Sequence, residues 1–533
     1  LAYYPVKVAL KAGVVPMTTK TDTNAIKEEE KIFVNLFNSI DEQGNNFVTK
    51  KQLIDMFKSN GISRKDKRIK NIFELLNNYT ETDKISLKDF INITHNYISI
   101  IDRIVKHNLV IPDFKNFCDE IKDIYEKIIK NKTGDVAGYI PQLARVNPEQ
   151  LGISICTIDG QTFSIGDSNT PYCVQSTCKP INYCIATELN GERAVHKHVG
   201  REPSGRSFNE ITLNRSQLPH NPMINAGAIM CSSLIYPGQS LADRFDHVMS
   251  IWEGLSGGVR PGYNNSVYHS EKETADRNFA LAHFMREMGA FPDNTRIHET
   301  LDFYFQCCSI EVRAKEMAVI AATFANAGMC PVSNNKIFAP GTVQNCLSLM
   351  YSCGMYDFSG EFAFTVGLPA KSGVSGALLI VIPNVMGIAV WSPRLDVMGN
   401  SVRGVDFCTE LVKRFNFHNY DSLVGQSNKK DPRMDNKVMD INQNYSLIWA
   451  ACQGDLDEIK RLIAHGVNVD RGDYDKRTAM HLASTEGHTK VVEYLLNKGA
   501  SISTMDRFGN TPLNDAKKNK HKDIIRLIES YSK

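Results

Sequence analysis

The sequence predicts an α+β core set between an N-terminal helical module and a C-terminal array of helical repeats. Residues 28–118 carry apolar side chains at helical spacing, in the runs IFVNLF, LIDMF, IFELL and FINIT. Residues 120–425 mix hairpin-like runs with helical ones, the pattern of an α+β domain. The tail repeats itself every 33 residues, Gly454 with Gly487, Leu462 with Leu495, Thr478 with Thr511 and His488 with His521. A chain of 533 residues exceeds one ordinary core, so several domains are expected.

Residues 1–27 read as a leader or disordered segment. The first 21 carry three lysines and no acid, but lack the Arg-rich amphipathic pattern of an organelle leader. In the helical module, 28–118, two loops resemble EF-hands, Asp41 to Gln52 and Asn78 to Asp89, with Val48 and Ile85 at the eighth place. Gln52 stands where a bidentate Glu closes a calcium site and Asn46 where a Gly turns the loop. The second loop offers Thr80 and Thr82 at ligand positions. A helical assembly module without bound calcium is therefore expected.

In the core, residues 151–166 read as two strands about an Asp159-Gly160 turn. After them Ser176 and Lys179 open an apolar helix, with Pro180 at a position tolerated only near a helix start. Side chains at i and i+3 share a face, so a neutral Lys179 can take the proton of Ser176: a nucleophile and its base. The spacing recurs at Ser333/Lys336, Ser427/Lys430 and Ser530/Lys533, but none of these follows a hairpin and starts a helix. Lys371-Ser372-Gly373 precedes the strand pair VSGALLIVIP and VMGIAVW, and a Lys-Ser/Thr-Gly strand beside a Ser-x-x-Lys helix is the pairing of the serine β-lactamases and penicillin-binding proteins. Lys132-Thr133-Gly134 repeats the tripeptide without a following strand. Lys371 is expected to act as a second cation, lowering the pKa of Lys179 and of any nearby phenol.

Residues 426–437 are polar and read as a linker, and 438–533 hold about three repeats. TAMHLASTEGHTKVVEYLLNKG, from Thr478 to Gly499, resembles an ankyrin repeat, and such an array is expected either to offer a partner-binding face or to serve as a packing or dimerisation cap. The formal charge of +2 gives no single-sign field for nucleic acid or an anionic membrane. Thirteen cysteines without a CxxC pair suit reduced intracellular thiols, and no run approaches the ~18 apolar residues of a membrane span. His196 and His198 form an HxH without further ligands at metal spacing, and no phosphate loop of nucleotide type occurs, so neither metal nor organic cofactor is expected.

YIPQLA (139–144), QSTCKP (175–180), PHNPMINAGAI (219–229), SEKETADRN (270–278), LDFYFQ (301–306), CGMYDFSG (353–360) and LPAKSGVSG (368–376) closely resemble the serine-dependent glutaminases, over about residues 120–420. With its flanking modules the chain resembles the phosphate-activated kidney and liver type of animals. The resemblance implies a serine β-lactamase-like fold and hydrolysis of L-glutamine to L-glutamate and ammonia through a seryl intermediate. By motif, Ser176 would be the nucleophile, Lys179 its base and Tyr356 a proton shuttle. Tyr139, Gln175, Asn225, Glu271, Asn278, Tyr304 and Val374 would bind substrate together with Ser176 and Tyr356, and the N–H groups of Ser176 and Val374 would form the oxyanion hole.

The same resemblance implies a phosphate-promoted homotetramer and a mitochondrial location, a cytoplasmic one being the alternative. Thr212, in the loop Gly205 to His220, stands where kidney-type members carry an aromatic, which bears on inhibitors that wedge there. Two competing readings are a penicillin-recognising acyl enzyme and a non-catalytic ankyrin scaffold. Glu271, suited to an α-ammonium, and the intact set of expected site residues speak against them.

Overall fold

The computed structural model describes residues 33–41, 44–64, 66–105, 108–205, 210–421, 429–434, 436–464 and 467–531. The leader expected at 1–27 lies outside them, as does part of the linker expected at 426–437. The chain divides into two compact units, the first ending at Leu109 and the second starting at Val110.

In the first unit short amphipathic helices enclose Phe37, Phe57, Ile72 and Phe90. The two EF-hand-like loops pair by a short antiparallel ladder, Val48 with Ile85 and Thr49 with Lys84. Oxygens that would face a cation serve the backbone here. The Asp41 carboxylate accepts the N–H groups of Asn45 and Asn46, and Gln52 Oε1 accepts from Thr49 N–H at 2.8 Å as a helix cap.

The second unit is built on a five-stranded antiparallel sheet, in the order Thr162–Gly166, Gly152–Thr157, Met386–Trp391, Ala377–Ile382, Ala370–Gly373. The expected hairpin and strand pair are its first two and its third and fourth strands. Its inner strands are buried on both faces, which is why their sequences are continuous apolar runs. Ile153, Ile155, Leu378, Ile380, Ile388 and Val390 pack with helices Phe114–Ile128 and Val402–Arg414. Gly387, on the opposite face, lies against helix Ala314–Ala325: a Cβ built there would come within 2.0 Å of the Ala322 amide nitrogen. The alanine-rich composition of that helix, AKEMAVIAATFA, is what the close approach demands.

Two boundaries differ from the sequence expectation. Residues 110–118, grouped above with the helical module, belong to the sheet's core: Phe114, Phe117 and Cys118 pack into it, and the Val110 N–H donates to Asp159 at 2.7 Å. Within the expected linker, Lys430 forms a parallel bridge with Phe415 and its amine pairs with Glu120, so this stretch is stitched to the core.

The tail is a stack of three helix pairs, beginning at Asn436, Ala479 and Pro512. Its period has a physical cause. His488 and His521 each hydrogen-bond through Nε2 to a carbonyl of the preceding helix pair, Cys452 at 2.9 Å and Thr485 at 3.0 Å. Gly454 and Gly487, both at positive φ, leave room for those imidazoles. Among the described residues no helix is long and apolar enough to cross a membrane.

Replacing Gly387 by Ala drives a methyl into the backbone of helix Ala314–Ala325, and the expected cost is about 3 kcal/mol, at the upper end of overpacking effects. Gly341→Ala, in open space at a helix start, is expected to cost nothing. Chemical denaturation of the two variants checks the contrast; equal stabilities would refute the packing account.

Candidate active site

Ser176 lies in a 3-10 turn, Gln175–Cys178, that leads directly into helix Lys179–Asn190. A short strand, Tyr172–Cys173, delivers the turn by pairing with Ile310–Val312, and the Val174 N–H donates to the Ile310 carbonyl. Pro180 occupies the start of the helix, as its missing donor requires. Lys179 Nζ stands 3.0 Å from Ser176 Oγ and donates to Asn225 Oδ1 at 2.7 Å. The Tyr356 hydroxyl also hydrogen-bonds Ser176, so the serine oxygen sits between an amine and a phenol.

Two residues here hold the left-handed backbone conformation that side chains other than Gly rarely adopt, Gln175 at φ 47° and Tyr356 at φ 53°. Such strain persists where surrounding structure imposes it, and it aims both side chains inward. Gln175 Nε2 donates to Glu271 Oε1 at 2.9 Å, and the Tyr139 hydroxyl donates to the same oxygen at 2.6 Å. The Tyr139 ring is half-exposed while its hydroxyl reaches inward, where burial and the Glu271 charge raise its pKa. Glu271 Oε2 has no protein partner among the described residues. Asn225 opens a helix of its own and reaches Asn278 and Tyr304 by longer 3.4 Å contacts.

The Lys371 strand closes the site from the other side. A Cβ on Gly373 would approach the Val174 carbonyl at 3.0 Å and Thr177 Cγ2 at 3.2 Å, so glycine lets the strand touch the nucleophile turn. Among the described residues, neither the Ser176 nor the Val374 amide has a main-chain acceptor outside the helices and strands. All the expected site residues thus converge in one place. The tripeptide at Lys132 stays in a loop, where Thr133 N–H donates to Asn131. His196 and His198 are engaged with protein, His196 with Tyr183 and the Val199 carbonyl, His198 with the Ala290 carbonyl, and the described residues contain no cluster suited to a metal. Thr212 lies in a half-buried loop, its N–H bonded to the Glu210 carbonyl; residues 206–209 beside it fall outside the described set.

Electrostatics differ from the sequence expectation in two ways. Burial, rather than the Lys371 cation, is the first cause that lowers the pKa of Lys179, to about 8. Lys371 is completely enclosed and pushed well below the ordinary lysine range, first by burial and then by the Lys179 cation. Cys308, Cys178 and Glu271 oppose the effect of burial on Lys179, whereas the Lys179 cation adds to the effect of burial on Lys371. The Lys371 amine donates to the carbonyls of Ser372 at 2.7 Å and Gly354 at 3.2 Å. Secondly, Tyr356 is raised by burial rather than depressed. Lys371 Nζ lies 4.5 Å from its ring centroid, and the phenol shares the Ser372 carbonyl at 3.1 Å, so Lys371 positions Tyr356. Burial also raises the Glu271 pKa, opposed by its bonds from Tyr139 and Gln175.

The main-chain acceptors at Gly354 and Ser372 and the clamp of Asn225 on Lys179 were not foreseen. Carbonyls carry no sequence signal, although NAGAI marks the helix that Asn225 starts.

A family model for glutaminase matches residues 134–420, more than half the chain. The chain belongs to the glutaminase family. As a glutaminase-family enzyme it carries glutamine hydrolysis as its family reaction, on a β-lactamase-like α+β domain between two modules that match their own models, an EF-hand domain at 34–112 and ankyrin repeats at 408–506 and 447–532. It is 47% identical over 442 residues to a putative glutaminase 2 of Caenorhabditis elegans, covering 82% of this chain and 72% of the relative. To the liver isoform of glutaminase, mitochondrial, of Mus musculus it is 44% identical over 435 residues, 81% of this chain and 72% of the relative. Among solved structures, a probable glutaminase, ybaS, superposes with TM-score 0.55 at 33% identity, over 57% of this chain and 98% of that one. The glutamate form of Mglu gives 0.54 at 36%, over 56% of this chain and 68% of that one.

If Lys179, with a pKa near 8, serves as the base, kcat/KM is expected to rise with pH and level off above about 8. Lys371→Met is expected to leave that limb in place and lower the plateau about tenfold, since Tyr356 loses its support. PH–rate profiles of both proteins test this; a limb displaced upward by a unit would restore Lys371 as the tuning cation.

Proposed function

We propose that the chain hydrolyses L-glutamine through a covalent ester on Ser176. The observation that carries this reading is the Ser176 oxygen held between Lys179 Nζ at 3.0 Å and the Tyr356 hydroxyl. Neutral Lys179 takes the proton as Ser176 Oγ bonds to the side-chain amide carbon of glutamine, and the carbonyl oxygen becomes an oxyanion. The unengaged amides of Ser176 and Val374 suit that charge. The proton passes to the leaving nitrogen through Tyr356, which burial keeps protonated, the C–N bond breaks and ammonia departs. Water then attacks the ester, returning its proton to the serine oxygen and releasing glutamate. At pH 7.4 a pKa of about 8 leaves roughly one Lys179 in five neutral, against about one in a thousand for a free lysine.

Specificity follows from the ends of the substrate. The free Oε2 of Glu271 suits the α-ammonium, with Tyr139 and Gln175 holding its other oxygen. Asn225, Asn278 and Tyr304 supply neutral donors for the α-carboxylate, and burial keeps the Tyr304 phenol protonated. Phosphate activation, a homotetramer and a mitochondrial location are proposed alongside, supported by family membership and, for location, by the mitochondrial liver isoforms of mouse and rat. The ankyrin array is the proposed docking module for another protein.

Ser176→Ala is expected to abolish ammonia release from glutamine, while Ser530→Ala, at the decoy spacing, leaves it unchanged. Asparagine, one methylene shorter with the same α-groups anchored, is expected to react at least about a hundredfold more slowly, since misplacement by about 1 Å costs that much. Equal kcat/KM for the two amides, or full activity without Ser176, would overturn the assignment.

A further inference from the structure

The helix that begins with Asn225 ends, at Ser233, against Arg244. This guanidinium donates from Nε to the Ile235 carbonyl at 2.8 Å and from Nη2 to the Ser232 carbonyl at 2.7 Å, capping the negative end of the helix dipole. It also lies 4.2 Å from the centroid of the Phe303 ring. Arg244 is 2% exposed, yet among the described residues no carboxylate pairs with it and Nη1 has no acceptor. A buried cation with no carboxylate in contact is costly, and burial lowers its pKa, with Cys307 and Glu299 opposing from a distance.

Arg244 lines a cavity of about 270 Å³, whose other polar walls include His198, Asp293, Asn294, Arg296 and Glu299. Arg296 and Glu299 neutralise each other at 2.6 Å. The bond from His198 to the Ala290 carbonyl at 2.8 Å fixes a hydrogen on Nδ1 and leaves Nε2 as an acceptor in the neutral ring. Asp293 has no cationic partner among the described residues. The cavity therefore combines a cation lacking an anion with two acceptors lacking a donor. At ~1.5 Å per residue, the nine-residue helix separates Arg244 from Asn225 by about 14 Å, so the cavity is distinct from the active site.

We propose that this cavity binds a small zwitterion of the α-amino acid class, its carboxylate on Arg244 and its ammonium on Asp293 and His198. The volume falls just below the roughly 300–1,000 Å³ of drug-sized pockets and suits an amino acid with a short side chain. Asn294 stands beside Asp293 to share the polar end. A simple oxyanion is disfavoured because the Asp293 carboxylate would repel it.

The test is calorimetric titration of full-length protein carrying Glu271→Gln, which removes the ammonium partner of the active site, with L-alanine, L-lactate and inorganic phosphate. One saturable event with L-alanine is expected. L-Lactate, which lacks the ammonium, should bind about tenfold more weakly, the size of one charge-assisted hydrogen bond, and phosphate not at all. Asp293→Asn, at an exposed position that leaves the melting temperature unchanged, should weaken L-alanine about tenfold, as should Arg244→Lys, which keeps the charge but loses the fork. Should Arg244→Lys fail to fold, Asp293→Asn decides alone. The proposal falls if L-alanine gives no saturable heat, if lactate or phosphate binds as tightly as L-alanine, or if Asp293→Asn changes nothing.

Discussion

A lysine side chain taken out of water among neutral partners is the constraint on which the catalytic domain depends. Lys179 is 1% exposed, and its Nζ meets a serine hydroxyl and an asparagine oxygen rather than a carboxylate. A direct salt bridge would have favoured the cation and spoiled the base. Glu271 lies near enough to act through space, but Tyr139 and Gln175 occupy one of its oxygens. The Lys179 pKa is thus set near 8 by enclosure pulling down, opposed by Cys308, Cys178 and the Glu271 carboxylate pushing up. Asn225 is central to this arrangement, because it holds the amine without changing its charge.

Enclosure of that kind requires elements to approach more closely than side chains ordinarily allow. Gly373 brings the Lys371 strand onto the nucleophile turn, and Gly387 brings helix Ala314–Ala325 onto the sheet. Gly227 does the same inside the helix that starts with Asn225, where a Cβ would come within 1.9 Å of the Asn221 carbonyl. Each glycine removes a barrier to close approach at one contact. The strained backbones of Gln175 and Tyr356 are the counterpart, held in place by the tight packing those contacts create.

Lys371 and Lys179 illustrate how one residue type takes two roles within a single site. Both lysines are buried, but Lys179 feels Glu271 and Lys371 feels Lys179. The first therefore has a proton to exchange near neutral pH, and the second anchors the Ser372 carbonyl and lies against the Tyr356 ring.

The sequence by itself determined the three-part organisation, the strand pairs of the sheet, the repeats of the tail and the identities of the residues gathered round Ser176. These are properties of apolar period, turn residues and motifs, all local in the chain. The period of 33 was visible because the His488 and His521 contacts must recur wherever one helix pair stacks on the next. Only the tertiary structure decided that residues 110–118 join the sheet and that part of the polar linker is tied to Glu120, because an amphipathic helix does not name the surface it will cover. It also decided the direction of each pKa shift. Whether burial or a neighbouring charge is the larger cause lowering a lysine, and whether a phenol is lowered by a cation or raised by burial, depends on solvent exclusion and on charges brought together from distant segments, and neither is written in the order of residues.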